Sequence, residues 1–124
     1  MTESDPSDTR NGVRLIDREE LYDKIVRGDR FHLFEVLPEM YWRKHHLPGA
    51  LSLPPDEVET IVPTRVPDKQ DEIVLYCWNF TCPTSGRAAH TLAAMGYTNV
   101  REYADGKDDW IRSGLPLTNE RATT

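Results

Sequence analysis

Two cysteines carry most of the chemical interest of this sequence. Cys77 and Cys82 lie five positions apart, too close for a bridge between them to staple a whole fold. Cys77 follows the apolar run Glu72 to Tyr76 (EIVLY) and precedes residues 84–95 (TSGRAAHTLAAM), whose apolar positions recur at helical spacing. A cysteine at such a strand-to-helix junction faces backbone N–H groups and the positive end of a helix, both of which favour thiolate over thiol. Cys77 is therefore the candidate nucleophile, expected to be held anionic by the main-chain dipoles of residues 78–85 with no side-chain cation beside it. The competing reading makes it a small hydrophobe that ends a buried strand. Cys82 sits in a loop with Pro and Thr neighbours and is harder to explain as core. It is a candidate to resolve an oxidised or persulfidated Cys77, or to act in its place.

The elements that must position this loop follow from the pattern on either side. Asp17 can cap a helix whose third residue is Glu20, with Leu21, Ile25 and Val26 as its apolar stripe and Gly28 as its stop. Phe31 to Val36 predicts a buried strand, and Pro38 permits a short helix after it. Pro48-Gly49 predicts a turn into Ala50 to Leu53, and Pro54-Pro55 open a short helix over Asp56 to Val62. In the helix after the cysteines, Ala88 with Leu92 and Ala89 with Ala93 share adjoining faces, and Gly96 stands at the expected left-handed stop. Asn99 to Tyr103 predicts a last strand, and Asp108 to Ser113 a last helix ended by Gly114 and Pro116. Strands alternating with helices imply an α/β domain of three layers, with a mostly parallel sheet of about five strands and helices on both faces. Ligands of such folds bind beyond the carboxyl ends of the strands, where residues 77–85 lie.

The 124 residues amount to one domain. Residues 1–12 and 118–124 are polar and without periodicity and are read as flexible tails, leaving a folded body over 13–117. Fifteen Lys and Arg against 21 Asp and Glu give a net charge of −6, which argues against broad binding of nucleic acid or of anionic membrane surfaces. No stretch approaches the roughly 20 apolar residues of a membrane span, and the start of the chain lacks the pattern of a secretory signal, so a cytoplasmic address is expected. His45-His46 with the two cysteines does not make the spacing of a four-ligand zinc site; neither a metal nor a cofactor is expected. Trp42 and Trp110 are read as core anchors, Trp78 as a wall beside the sulfur, Thr84 and Ser85 as helix caps first, and Asp105 with Asp108-Asp109 as a solvated turn and helix start.

Several segments, in order, resemble the rhodanese-like family. Ile73-Val74-Leu75-Tyr76-Cys77, Arg87-Ala88-Ala89 and Met95-Gly96-Tyr97 are similar to its active-site region, His46-Leu47-Pro48-Gly49-Ala50 to its His-Ile-Pro-Gly-Ala motif, and Trp110 to Pro116 to its terminal helix. The resemblance implies a single-domain sulfurtransferase that moves sulfane sulfur from a donor such as thiosulfate, through a persulfide on Cys77, to a thiophilic acceptor. It implies substrate contacts from Trp78, Asn79, Phe80, Thr81, Thr84, Ser85 and Arg87, and supporting places for Glu35 and His46. The partners implied are a small sulfur-containing anion and a thiol or protein acceptor. Two departures stand out. The family's Asp-Val-Arg corresponds to Glu35-Val36-Leu37, so the cation's ion-pairing role is unfilled at Leu37. The loop from Trp78 to Ser85 has eight residues, two more than usual, and no Arg or Lys. A noncatalytic or redox-responsive binding module using a Cys77/Cys82 dithiol is the alternative. The family's phosphatases and arsenate reductases require Cys-x5-Arg, and that count from Cys77 ends on Pro83, which makes oxyanion chemistry the weaker alternative.

Overall fold

Short runs of β-branched and aromatic residues become the strands of one sheet, and the strand buried most completely is the one that leads to Cys77. The computed structural model describes residues 9–119. In it β2 (Val13–Leu15), β3 (His32–Glu35), β4 (Leu51–Ser52), β5 (Ile73–Tyr76) and β6 (Val100–Tyr103) run parallel. β1 (Thr9–Arg10) adds antiparallel to β2, giving the order β1-β2-β6-β5-β3-β4. β5 is thus central, flanked by β6 and β3, and all four of its residues are buried, as a parallel strand covered on both faces should be.

Alternation along the strands sorts side chains into two cores. On one face Phe34, Val36, Ile73 and Leu75 pack against Val58 and Val62 of α3 (Val58–Arg65) and Ala88, Ala89 and Leu92 of α4 (Thr84–Ala94). On the other, Leu33, Val74, Tyr76 and Tyr103 pack against Leu21 of α1 (Arg18–Arg27) and Trp110 of α5 (Gly106–Arg112). The short α2 (Glu39–Lys44) follows β3. This is the three-layer α/β arrangement expected from the sequence. α1 begins as predicted, with the Asp17 carboxylate accepting from the Glu20 N–H and Gly28 closing it at φ 72°. Pro54-Pro55 do open helical structure, but its first turn, Pro55–Glu57, is a 3₁₀ turn and the α-helix runs on to Arg65.

The structure differs from the sequence reading at three boundaries. Thr9 and Arg10, read as tail, form β1, because Asn11 (φ 52°) and Gly12 (φ 81°) both take the left-handed conformation of a two-residue hairpin turn. That hairpin supplies the sixth strand. Thr118, also read as tail, exchanges two backbone hydrogen bonds of 2.8 Å with His46. Residues 1–8 and 120–124 of the expected tails lie outside the described residues. The last helix begins at Gly106 rather than Asp108, because its first amides have partners waiting: Lys107 N–H donates to the Cys77 carbonyl at 2.9 Å and Asp108 N–H to the Trp78 carbonyl at 2.8 Å. Among the described residues no helix is long and apolar enough to cross a membrane.

Gly106 makes that contact possible. A Cβ on it would stand 2.8 Å from the Cys77 carbonyl oxygen and from the Trp78 carbonyl group, and its φ of +77° is strained for any other residue. Gly106→Ala is expected to lower stability by about 1–3 kcal/mol from backbone strain alone, measured by chemical denaturation. An unchanged midpoint would show that the helix and the loop do not meet this closely.

Candidate active site

The chain leaves β5 at Cys77 and returns to helix at Thr84, and the turn between is built by its own side chains. The Asn79 side-chain oxygen accepts from the Thr81 N–H, the Thr81 hydroxyl and the Cys82 N–H at 2.9–3.1 Å, a local turn of the kind that Asn favours. Those two amides are consequently spent inside the loop and cannot cradle an anion. Thr84 donates to the Val36 carbonyl at 2.7 Å and touches the Cys82 sulfur at 3.4 Å, tying the loop to the end of β3. Thr84 and Ser85 were expected to cap α4. They do not: Pro83 occupies the cap position without a side-chain bond, and both hydroxyls are drawn to tertiary partners instead.

Cys77 is buried, and its thiol lies 3.3 Å from the Cys82 carbonyl and 3.2 Å from the Ser85 hydroxyl oxygen. Ser85, also buried, donates to Glu102 Oε2 at 2.6 Å. Burial pushes the Cys77 thiol above its ordinary value, the Cys82 contact adds to the rise, and the polar groups of Ser85 and Thr84 nearby do not offset it. At neutral pH Cys77 therefore rests as a thiol. The expectation that main-chain dipoles alone hold it anionic is not met, since the Ser85 amide aids it but burial outweighs that help. The amides of Trp78 and Thr84 are aimed at the neighbouring sulfur. Burial raises Cys82 too, but the Cys77 thiol, the Thr84 hydroxyl and those two amides more than compensate and leave it below an ordinary cysteine. Cys82 is the half-buried, more acidic thiol of the pair.

The opposite face of the sheet carries a second polar cluster. Glu35 is fully buried, with Lys107 Nζ 2.9 Å away and the Tyr76 hydroxyl donating to its Oε1 at 2.9 Å. Tyr76 in turn accepts from the Leu47 N–H, and Lys107 donates to the Tyr41 carbonyl. Leu37 is buried, so the cation absent there is supplied by Lys107 from α5. Desolvation lowers the Lys107 ammonium below its usual range, and Glu35 works against that loss. A second cation arrives from β1. Arg10 donates to the Phe80 carbonyl at 2.7 Å, lies 4.3 Å from the centre of the Phe80 ring and comes within 3.9 Å of Glu102. The loop has no basic residue of its own, yet two basic side chains reach it or its support from elsewhere in the chain.

The remaining predicted residues scatter around this centre. Trp78 and Phe80 are exposed on the loop, Trp78 tilted against Tyr41 with ring centres 6.3 Å apart. Arg87 is exposed in the first turn of α4. His46 is buried beneath Trp42, stacked at 4.3 Å, with its Nδ1 at the Trp42 carbonyl. Trp110 is fully buried, while Trp42 is half-buried and donates to the Ala50 carbonyl. Asp109, expected to be solvated, accepts the Tyr103 hydroxyl and pairs with Arg18 at 2.9 Å. Sequence reasoning did not single out Glu102, Lys107, Tyr76 or Arg10. A buried strand carboxylate such as Glu35 does demand a cation, but nothing local says which one.

A thiol at the carboxyl end of the central parallel strand, under a loop that feeds a helix, defines an α/β domain organised around one cysteine-bearing loop. The chain belongs to the rhodanese-like domain family, whose model matches residues 17–113. It is similar to the thiosulfate sulfurtransferase PspE of Escherichia coli (strain K12), with 39% identity over 78 residues covering 62% of this chain and 72% of that protein. A solved structure of a rhodanese with anions from E. coli superimposes with a TM-score of 0.62 at 33% identity, covering 73% of this chain and 99% of that one. The human single-domain sulfurtransferase TSTD1 gives a TM-score of 0.70 at 26% identity, over 82% and 97% of the two chains.

Two outcomes follow from the geometry. Lys107→Met strands a buried carboxylate and is expected to cost about 3–5 kcal/mol, whereas Glu35→Leu combined with Lys107→Met recovers a large part of that loss in urea denaturation; equal losses in both would refute the pairing. Peptide-resolved alkylation at neutral pH is expected to modify Cys82 faster than Cys77, with Cys77 overtaking only if the order of acidity is reversed.

Proposed function

We propose that this chain is a sulfurtransferase in which Cys77 takes sulfane sulfur from a small anionic donor such as thiosulfate and passes it to a thiophilic acceptor, a small thiol or a protein cysteine. The observation that carries this reading is the Cys77 thiol itself, held by Ser85 and the Cys82 carbonyl at the end of β5, in a chain similar to a thiosulfate sulfurtransferase. The Cys77 thiolate attacks the outer sulfur of thiosulfate, the S–S bond of the donor breaks, and sulfite leaves with the electron pair. The acceptor thiolate then attacks the outer sulfur of the Cys77 persulfide, and Cys77 leaves as a thiolate.

In this reading Trp78 and Phe80 form the exposed rim that an acceptor meets, and the Arg87 cation attracts an anionic donor toward the start of α4. Asn79, Thr81 and Thr84 act on substrate through the shape they give the loop. A reducing, cytoplasmic setting suits two free thiols. One observation favours the second reading, a redox-responsive dithiol: the Cys77 thiol lies against the Cys82 carbonyl at 3.3 Å, and Cys82, the more acidic of the two, is the thiol better able to form the attacking thiolate.

Intact-mass measurement after incubation with thiosulfate separates the two. The full chain and Cys82→Ser are expected to gain the mass of one sulfur atom, and Cys77→Ser to gain none. Loss of two hydrogens without any adduct would replace the transferase by the dithiol module.

A further inference from the structure

Glu102 is an acidic residue enclosed in the sheet. It lies in β6, opposite Leu75 of β5 and Leu15 of β2, and is 1% exposed. Its Oε1 has no hydrogen-bond partner, and the Arg10 guanidinium, already donating to the Phe80 carbonyl, approaches Oε2 only to 3.9 Å. A carboxylate so enclosed costs free energy that an apolar or amide residue would not. What it does hold is the Ser85 hydroxyl, at the short distance of a charge-assisted bond. A serine has one proton, and that proton points at Glu102. At its 3.2 Å contact with Cys77 the Ser85 oxygen can therefore only accept, which makes the thiol the donor there, its one hydrogen turning between this oxygen and the Cys82 carbonyl at 3.3 Å. The three groups form a directed chain: S–H to O–H to carboxylate.

The buried thiol also needs a base, because it rests protonated. No imidazole is hydrogen-bonded to it, its contacts being the Cys82 carbonyl and the Ser85 hydroxyl; His32 pairs with Asp71, His46 lies under Trp42, and His90 is exposed on α4. The charged or titratable groups that face the chain are Cys82 from the loop and Arg10 from β1. Arg87 on α4 is exposed, Arg101 of β6 is engaged with Glu20, and the Glu35–Lys107 pair lies on the other face of the sheet.

We infer that Glu102 receives the Cys77 proton through the Ser85 hydroxyl, so that Ser85 is a catalytic residue and Glu102 the positioning residue behind it. This rests on Cys77 being the nucleophile of the transferase proposed above. As the Cys77 sulfur attacks the donor, its proton passes to Ser85 Oγ while the Ser85 proton passes to Glu102 Oε2. The proton returns along the same path when the acceptor takes the outer sulfur and Cys77 departs as thiolate. No proton is exchanged with solvent in either step, and the net charge of the buried cluster is conserved through the transfer.

The consequence is a distinctive pH profile. When two groups share one proton, the fraction present as thiolate with neutral carboxyl is constant between their two ionisations. In a Cys82→Ser background, alkylation of Cys77 by iodoacetamide, followed by intact mass, is expected to show a pH-independent plateau across neutrality. Glu102→Gln keeps the shape but removes the acceptor. Its rate should fall by about tenfold or more at neutral pH and rise about tenfold per pH unit, as a lone thiol does. Ser85→Ala, which leaves the carboxylate in place, should lose the plateau as well. A Glu102 that acts only as a neighbouring negative charge gives the opposite sign: Glu102→Gln would then make Cys77 more reactive, and the inference would fall. If Glu102→Gln does not fold, the parent profile decides alone, since a rate rising steadily through neutrality overturns the relay. A plateau without any sulfur adduct from thiosulfate upholds the relay and removes the transferase; an adduct without a plateau does the reverse.

Discussion

The carbonyl groups of Cys77 and Trp78 end in the first amides of α5, and that pair of hydrogen bonds, passing over a residue with no side chain, fixes the direction in which the loop leaves the sheet. Everything near the sulfurs depends on it. With the Cys77 carbonyl drawn toward α5, its side chain turns to the α4 face, where Ser85 and the Cys82 carbonyl are within reach. Trp78 is carried outward to lie beside Tyr41 and near the Lys107 ammonium. The same helix start brings Lys107 to Glu35. One backbone contact thus couples the placement of the loop to the neutralisation of a buried charge.

Two carboxylates are buried in this small sheet, and they are treated differently. Glu35 has a full ion pair, a tyrosine hydroxyl and a lysine whose remaining capacity goes to a backbone carbonyl. Glu102 has a serine and a distant guanidinium. Isolated charges in an apolar layer are strongly disfavoured; each carboxylate keeps one oxygen without a partner, but the nearest cation stands at 2.9 Å from Glu35 and at 3.9 Å from Glu102. The loop itself follows the same division. Asn79 and Thr84 satisfy backbone groups within and beside the turn, while the two sulfurs remain free thiols.

The architecture was largely legible in the sequence, because periodicity, caps and glycine stops are local signals. Asp17 and Gly28 bound α1, Gly96 follows α4, and the four-residue apolar core of β5 needs no partner to be recognised. The site was legible only where its members are neighbours in sequence, as Cys77, Cys82 and Ser85 are. Lys107 and Glu102 were not: Lys107 meets Glu35 because β3 lies beside β5 although the two are not consecutive in the chain, and Glu102 meets Ser85 only through the pairing of β5 with β6. Thr84 and Ser85 read as caps, yet the Val36 carbonyl and the Glu102 carboxylate outbid local capping. The acidity of Cys77 was read with the wrong sign: spacing reveals a helix start nearby but not where each amide points or how deeply the sulfur lies. Arg10 is the instructive case. Asn11-Gly12 is a hairpin signal, but a strand of two residues has no periodicity with which to support it, so its polar surroundings dominated the reading.

Tyr76 and Cys77 are adjacent, and the pleat sends them to opposite sides of the sheet. A slip of β5 by one residue against its neighbours would exchange their surroundings. The phenol would leave Glu35, and the thiol would be thrust among Tyr103 and Trp110, where the Tyr103 hydroxyl is already given to Asp109. A run such as Ile-Val-Leu, apolar on both sides, carries little information about its own alignment. The polar pair that follows it supplies what is missing, so the residues that equip the molecule for chemistry also act as an alignment mark, penalising misaligned strands while the sheet assembles.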